Sequence, residues 1–199
     1  MRNIGIVLFD GTEELDAVGP YEVLAWASRE REDFGDVFTV AEHDRPVRCV
    51  KGMRFLPDHT FETAPPLDVI LVPGGVGTKE QMKNPALLKY VREQAARCEW
   101  VTSVCTGMRV MIAAGPAVGK RVTTHWASIE EIRKDGRAAE VLDGVRFVRD
   151  GNFVSSAGVS AGIDMALWLV GDIARDPAFA RSVQRGIQYD PAPPYTSEA

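Results

Sequence analysis

The stretch Ser103-Val104-Cys105-Thr106-Gly107 places a cysteine where a buried apolar run ends and a helical pattern begins. That spacing is similar to a strand-turn-helix nucleophile elbow, with Cys in the position a hydrolase gives to Ser. At a helix N-terminus, free N–H groups and the positive end of the dipole favour thiolate, so the Cys105 pKa is expected below the ~8.5 of a free thiol. A small buried apolar cysteine fits the same local pattern. Cys49, in a strand-like stretch, and Cys98, at the end of an amphipathic helix, are read as inert.

Two further segments could serve the thiol. Asp16 is the carboxylate that a loop-to-helix start aims at the same rim, and a protonatable acid beside a sulfur can shuttle protons. It could equally sit there to complement the helix dipole. Pro73-Gly74-Gly75-Val76-Gly77 lets backbone N–H groups approach a ligand closely, as an oxyanion site requires, and also suits a tight strand-to-helix turn. It matches neither GxGxxG nor GxxxxGK, so it is not read as a phosphate loop. Glu13 and Glu14 are expected in solvent. His43, His59 and His125 show no HxH or HExxH spacing, so no metal is expected, and His125 is read as structural.

The elements that must position these groups are legible as patterns. Ile4–Phe9, Val69–Val72 and Trp100–Val104 are short, continuously apolar runs without polar alternation, the signature of buried parallel strands. Helical patterns cover Asp16–Arg31, Pro85–Arg97, Thr106–Ala114, Ser128–Asp135, Ala161–Ile173 and Pro177–Gly186. The first is expected to bury Ala17, Val18, Tyr21, Leu24, Ala25 and Ser28. Arg146–Ser155 reads as a hairpin around an Asp-Gly turn, at an edge or on an excursion. Helices alternating with buried strands imply a three-layer α/β/α sandwich with a mostly parallel sheet. In such a sheet ligands bind beyond the carboxyl ends of the strands, which is where Asp16, Gly74-Gly75 and Cys105 fall.

Composition narrows the partners. With 23 Lys+Arg against 28 Asp+Glu, the net charge of −5 offers no basic footprint for nucleic acid or anionic lipid. No run approaches the ~18 to 20 apolar residues of a membrane span, and the N-terminal apolar run is too short for a signal peptide. Three cysteines, an odd number at no framework spacing, suit a reducing cytoplasm. No linker or repeat divides the 199 residues, so one domain over 1–199 is expected. Trp26, Trp126 and Trp168 are assigned to the core by default.

Taken in order, these stretches resemble the DJ-1/PfpI superfamily of class I glutamine-amidotransferase-like proteins, and within it the isonitrile hydratase branch. The resemblance rests on Gly5–Gly11, Leu15–Val23, Pro73-Gly74-Gly75, Ser103–Gly107, Gly119–Trp126, Ser155–Asp164 and the tail Gln188–Tyr195. Asp-x-x-Gly-Pro with Cys-Thr-Gly also resembles the sensor domain of AraC-type regulators, which continue into a helix-turn-helix domain. Protease-like members carry His where this chain has Thr106. The resemblance implies hydration of an isonitrile to an N-substituted formamide, without metal or organic cofactor. Cys105 would be the nucleophile, Asp16 the general acid/base, and Gly75 and Thr106 N–H the donors to developing charge, with Gly74 in the same turn. It further implies a small-molecule substrate and a homodimer. Other branches suggest two alternatives, a glyoxalase- or deglycase-like activity on dicarbonyls and a cysteine redox or ligand sensor. Met108-Arg109 departs from the pattern, and Arg109, one turn beyond Cys105, is expected to pair with an acidic residue.

Overall fold

A computed structural model describes residues 1–192, so Pro193, Pro194 and Tyr195 of the tail lie outside the described residues. In chain order the elements are β1 (Asn3–Leu8), α1 (Glu14–Glu30), β2 (Asp36–Ala41), β3 (Val47–Arg48), β4 (Arg54–Phe55), β5 (His59–Thr60), β6 (Val69–Val72), α2 (Thr78–Gln81), α3 (Pro85–Ala95) and β7 (Trp100–Val104). After β7 come α4 (Met108–Ala114), β8 (Arg121–Val122), α5 (Ile129–Asp135), β9 (Glu140–Val141), β10 (Phe147–Asp150), β11 (Phe153–Ser156), α6 (Ala161–Ala174) and α7 (Pro177–Gly186).

Seven strands pair in the order β10-β11-β7-β6-β1-β2-β5. All neighbours are parallel except the β10–β11 hairpin, which supplies the antiparallel edge. The three apolar runs are the strands at the centre of this sheet, and alternate side chains leave its two faces. Ile4, Ile6, Leu8, Val69, Leu71 and Val104 join one core with α1, α6 and α7. Val7, Ile70, Val72 and Val101 join the other with α3 and α4. A strand buried on both faces cannot carry polar alternation, which is why these runs are continuously apolar.

Local chemistry explains several helix starts. Asn84 and Asp176 accept from the N–H groups of the first turns of α3 and α7, and each is followed by Pro at the first helical position. β1 continues to β2 through α1, whereas β6 continues to β7 through α3 on the opposite face. The connections therefore diverge between β1 and β6 and leave the crevice where open α/β sheets bind ligands.

Three expectations need correction. In α1 the buried residues include Ala17, Pro20, Val23, Leu24 and Ala27, while Tyr21 is exposed and Val18 half-buried. The helix is rotated because Gly19 lies so close to Ile163 of α6 that a Cβ would stand 2.9 Å from its side chain. Glu14 is buried, since the segment after β3 folds over it and Lys51 N–H donates to its Oε1 at 2.7 Å. Trp126 is 75% exposed, whereas Trp168 packs edge-on against Trp100. Among the described residues no helix is long and apolar enough to cross a membrane.

Candidate active site

Cys105 directly follows β7 with φ of +57° and is 6% exposed. A non-glycine residue in this left-handed region is unusual and is held by its surroundings. Here the Cys105 N–H donates to Ala157 O at 3.0 Å, and its C=O accepts from Thr124 Oγ1 at 2.7 Å. Residues 105–107 form a single 3-10 turn before α4 begins at Met108. The turn fits only because Gly107 lacks a side chain: a Cβ there would lie 2.3 Å from Val72 O.

Asp16, on the first turn of α1, is fully buried. Its Oδ2 accepts from Gly74 N–H at 2.8 Å, and Oδ1 is buried without a hydrogen-bond partner. The glycine turn after β6 is forced by this approach, because a Cβ on Gly74 would stand 2.6 Å from Thr106 N and 2.8 Å from Asp16 Oδ2. Gly75 N–H donates to Thr106 Oγ1 at 2.9 Å. The three loops beyond β1, β6 and β7 thus converge as the strand ends suggested. Both glycine N–H groups are engaged within the protein, so Gly75 reaches a ligand only through the Thr106 hydroxyl.

Burial sets the electrostatics of the pair. Desolvation raises the Asp16 carboxyl to about 7; Gly74 N–H opposes the shift, Glu13 adds to it, and the Cys105 thiol opposes it by donating toward the carboxylate. Desolvation likewise pushes the Cys105 thiol up to about 12, with the negative charge of Asp16 adding to it. The N–H groups of Thr106 and Val159 and the Thr106 hydroxyl pull the other way. The expectation of a depressed Cys105 pKa is therefore overturned for the resting protein. One 3-10 turn supplies a few donors, but it does not outweigh removing a thiolate from water beside a carboxylate. The resting proton sits on sulfur, next to a carboxyl that titrates near neutrality.

Sequence reasoning singled out Cys105, Asp16, Gly74, Gly75 and Thr106, and the fold brings all five together. It missed Thr124 and Ala157, which hold the backbone of the elbow, and Val159, whose N–H faces the sulfur. Val159 has φ of +44°, a strained conformation for a β-branched residue. Their only signal was membership of the stretches Gly119–Trp126 and Ser155–Asp164. His125 accepts from Ala127 N–H through Nδ1 at 3.2 Å, closing the short turn that it begins. Cys49 and Cys98 are buried with thiols pushed up to about 11 and about 12 by desolvation. Among the described residues no three His, Cys, Asp or Glu side chains gather as a metal site.

Comparison with known proteins shows the family to which the chain belongs. An isonitrile hydratase from Pseudomonas putida is 43% identical over 194 residues, spanning 98% of this chain and 81% of the relative. A glutathione-independent glyoxalase from Caenorhabditis elegans is 28% identical over 127 residues, 63% of this chain and 66% of the relative. The crystal structure of a THiJ/PfpI family protein from Pseudomonas syringae superposes with a TM-score of 0.89 at 30% identity, covering all of this chain and 79% of the other. The DJ-1/PfpI family profile matches residues 2–171, and the chain belongs to that family.

Proposed function

We propose that the protein hydrates an isonitrile, R–N≡C, to the formamide R–NH–CHO with Cys105 as nucleophile. The observation that carries this reading is the buried pair: a thiol fixed at a strained elbow beside a carboxyl whose pKa lies near neutrality. The 43% identity to an isonitrile hydratase supports it. Ionised Asp16 accepts the thiol proton as sulfur bonds to the terminal carbon, then delivers that proton to the same carbon, giving the thioimidate Cys–S–CH=N–R. Asp16 next takes a proton from water as the oxygen adds to this carbon. Collapse of the adduct breaks the C–S bond, nitrogen acquires a proton, and the thiol is restored. A carboxyl near neutrality suits both roles.

Charge developing on nitrogen or oxygen meets Thr106 N–H and the Thr106 hydroxyl, whose oxygen Gly75 N–H already polarises. No step requires a metal or organic cofactor. The substrate is a small molecule and the assembly a homodimer. Tyr21, Met53 and Leu56 remain exposed beside a groove of about 430 Å³ along α1, the apolar surface that a second copy would cover. Sedimentation giving the mass of one chain at micromolar concentration would exclude that assembly.

The reactive form of the pair holds one proton, so kcat/KM for para-nitrophenyl isonitrile is expected to rise with pH through about 7, where Asp16 ionises. A rise centred near ~8.5, as for a free thiol, contradicts the role of Asp16. Turnover of methylglyoxal without turnover of the isonitrile assigns the site to dicarbonyls instead. Selective Cys105 oxidation by dilute peroxide, with neither substrate consumed, assigns it to sensing.

A further inference from the structure

Arg109 is 8% exposed and lies one turn beyond Cys105 on α4. The expected ion pair exists: Nε and Nη2 hold Glu131 of α5 in a fork, at 2.7 and 2.5 Å. Pairing does not account for the rest of the side chain. Nη1 points at Thr78 Oγ1 at 3.1 Å, and Nη2 also reaches Ser128 Oγ at 3.3 Å; both hydroxyl-bearing residues are buried.

We propose that Arg109 is a positioning residue of the Cys105 site, acting through Thr78 and the Gly75 carbonyl on the Thr106 hydroxyl. A guanidinium only donates, so Thr78 Oγ1 must accept from it and direct its own hydrogen elsewhere. That hydrogen goes to Gly75 O at 2.7 Å. Gly75 N–H, which belongs to the preceding peptide unit, donates to Thr106 Oγ1. The Thr106 hydroxyl hydrogen then has two destinations, Gly75 O at a long 3.2 Å or a ligand at Cys105. Because Thr78 already makes the shorter bond to that carbonyl, the chain biases the Thr106 hydrogen toward the ligand. Polarised hydrogen bonds in a buried row strengthen one another, and the row from Arg109 through Thr78 to the Gly75 carbonyl starts from a full charge.

This role rests on the hydratase reading for its kinetics but not for its geometry, so the test has two readouts. Thr78→Val keeps shape and the Arg109–Glu131 pair while cutting the row; Arg109→Lys keeps charge and loses the fork. With para-nitrophenyl isonitrile, each is expected to lower kcat roughly tenfold with KM within about twofold of wild type, as for an interaction made in the transition state. Thr78→Val combined with Arg109→Met should be no worse than the poorer single variant. Independently of any substrate, iodoacetamide alkylation of Cys105 at pH 8 should slow about threefold in Thr78→Val, because the Thr106 hydroxyl hydrogen turns from the sulfur to the Gly75 carbonyl that Thr78 no longer occupies. Wild-type kcat and alkylation rate in Thr78→Val overturn the proposal, as do single effects on kcat that multiply. If wild type itself leaves the isonitrile untouched, the hydratase reading fails, and the alkylation rate alone decides the role of Arg109. If Arg109→Met does not fold, Thr78→Val and Arg109→Lys give the answer.

Discussion

Asp16→Asn is expected to stabilise the protein and nearly silence it. Burial holds the Asp16 carboxyl at about 7 against an ordinary 3.8, so over that interval the unfolded chain releases a proton that the folded protein keeps. Below pH 3.8 both states are protonated and the group is neutral in its effect. As pH rises the unfolded state gains, and above pH 7 the full penalty of about 4 kcal/mol remains. Asn has no charge to desolvate and keeps an oxygen for Gly74 N–H. Urea unfolding should find the variant more stable by about 2 to 4 kcal/mol at pH 7.5, with the difference shrinking toward zero near pH 4. Isonitrile hydration should fall by roughly a thousandfold, the range for a lost acid/base group. A difference in stability that does not change with pH would show that the buried carboxyl is not strained in this way.

The second large effect belongs to Cys105, where two substitutions separate chemistry from conformation. Cys105→Ala and Cys105→Gly should each lower hydration by at least about 10⁴-fold, because both remove the thiol that opens the proposed cycle. Their stabilities should differ. At φ of +57° Ala keeps the left-handed strain and Gly relieves it, so Gly is expected to be more stable than Ala by about 1 kcal/mol. Ala more stable than Gly would mean that the Thr124 and Ala157 hydrogen bonds do not hold the elbow against strain. Substantial turnover by either variant would remove Cys105 from the mechanism.

The sheet was legible where strands are buried on both faces. β6 and β7 coincide with their apolar runs, and β1 overlaps its run from Ile4 to Leu8. β2 was missed although Asp36–Ala41 is also largely apolar, because its acidic start and the following loop break the pattern. The two-residue strands β3 and β4 carry no periodicity at all. They matter to the site, since the segment after β3 buries Glu14 by a contact 37 residues away in sequence. The glycine turn and Cys105 could be placed because each directly follows a recognisable strand, and Asp16 because it opens the helix that the loop after β1 leads into. The direction of the Cys105 pKa could not, because it depends on how much water three converging loops exclude. Arg109 lies between these cases: its acidic partner was expected from residue chemistry, whereas its link to Gly75 exists only once α2 is folded against α4.

The most direct test of the central claim is rapid acid quench of wild type with para-nitrophenyl isonitrile in a single turnover, followed by mass measurement of the peptide carrying Cys105. The mechanism predicts an adduct equal to the whole mass of the isonitrile on that cysteine, rising and decaying as formamide appears, and neither adduct nor formamide with Cys105→Ala. Formamide produced by wild type without any adduct, and at an undiminished rate by Cys105→Ala, would contradict it.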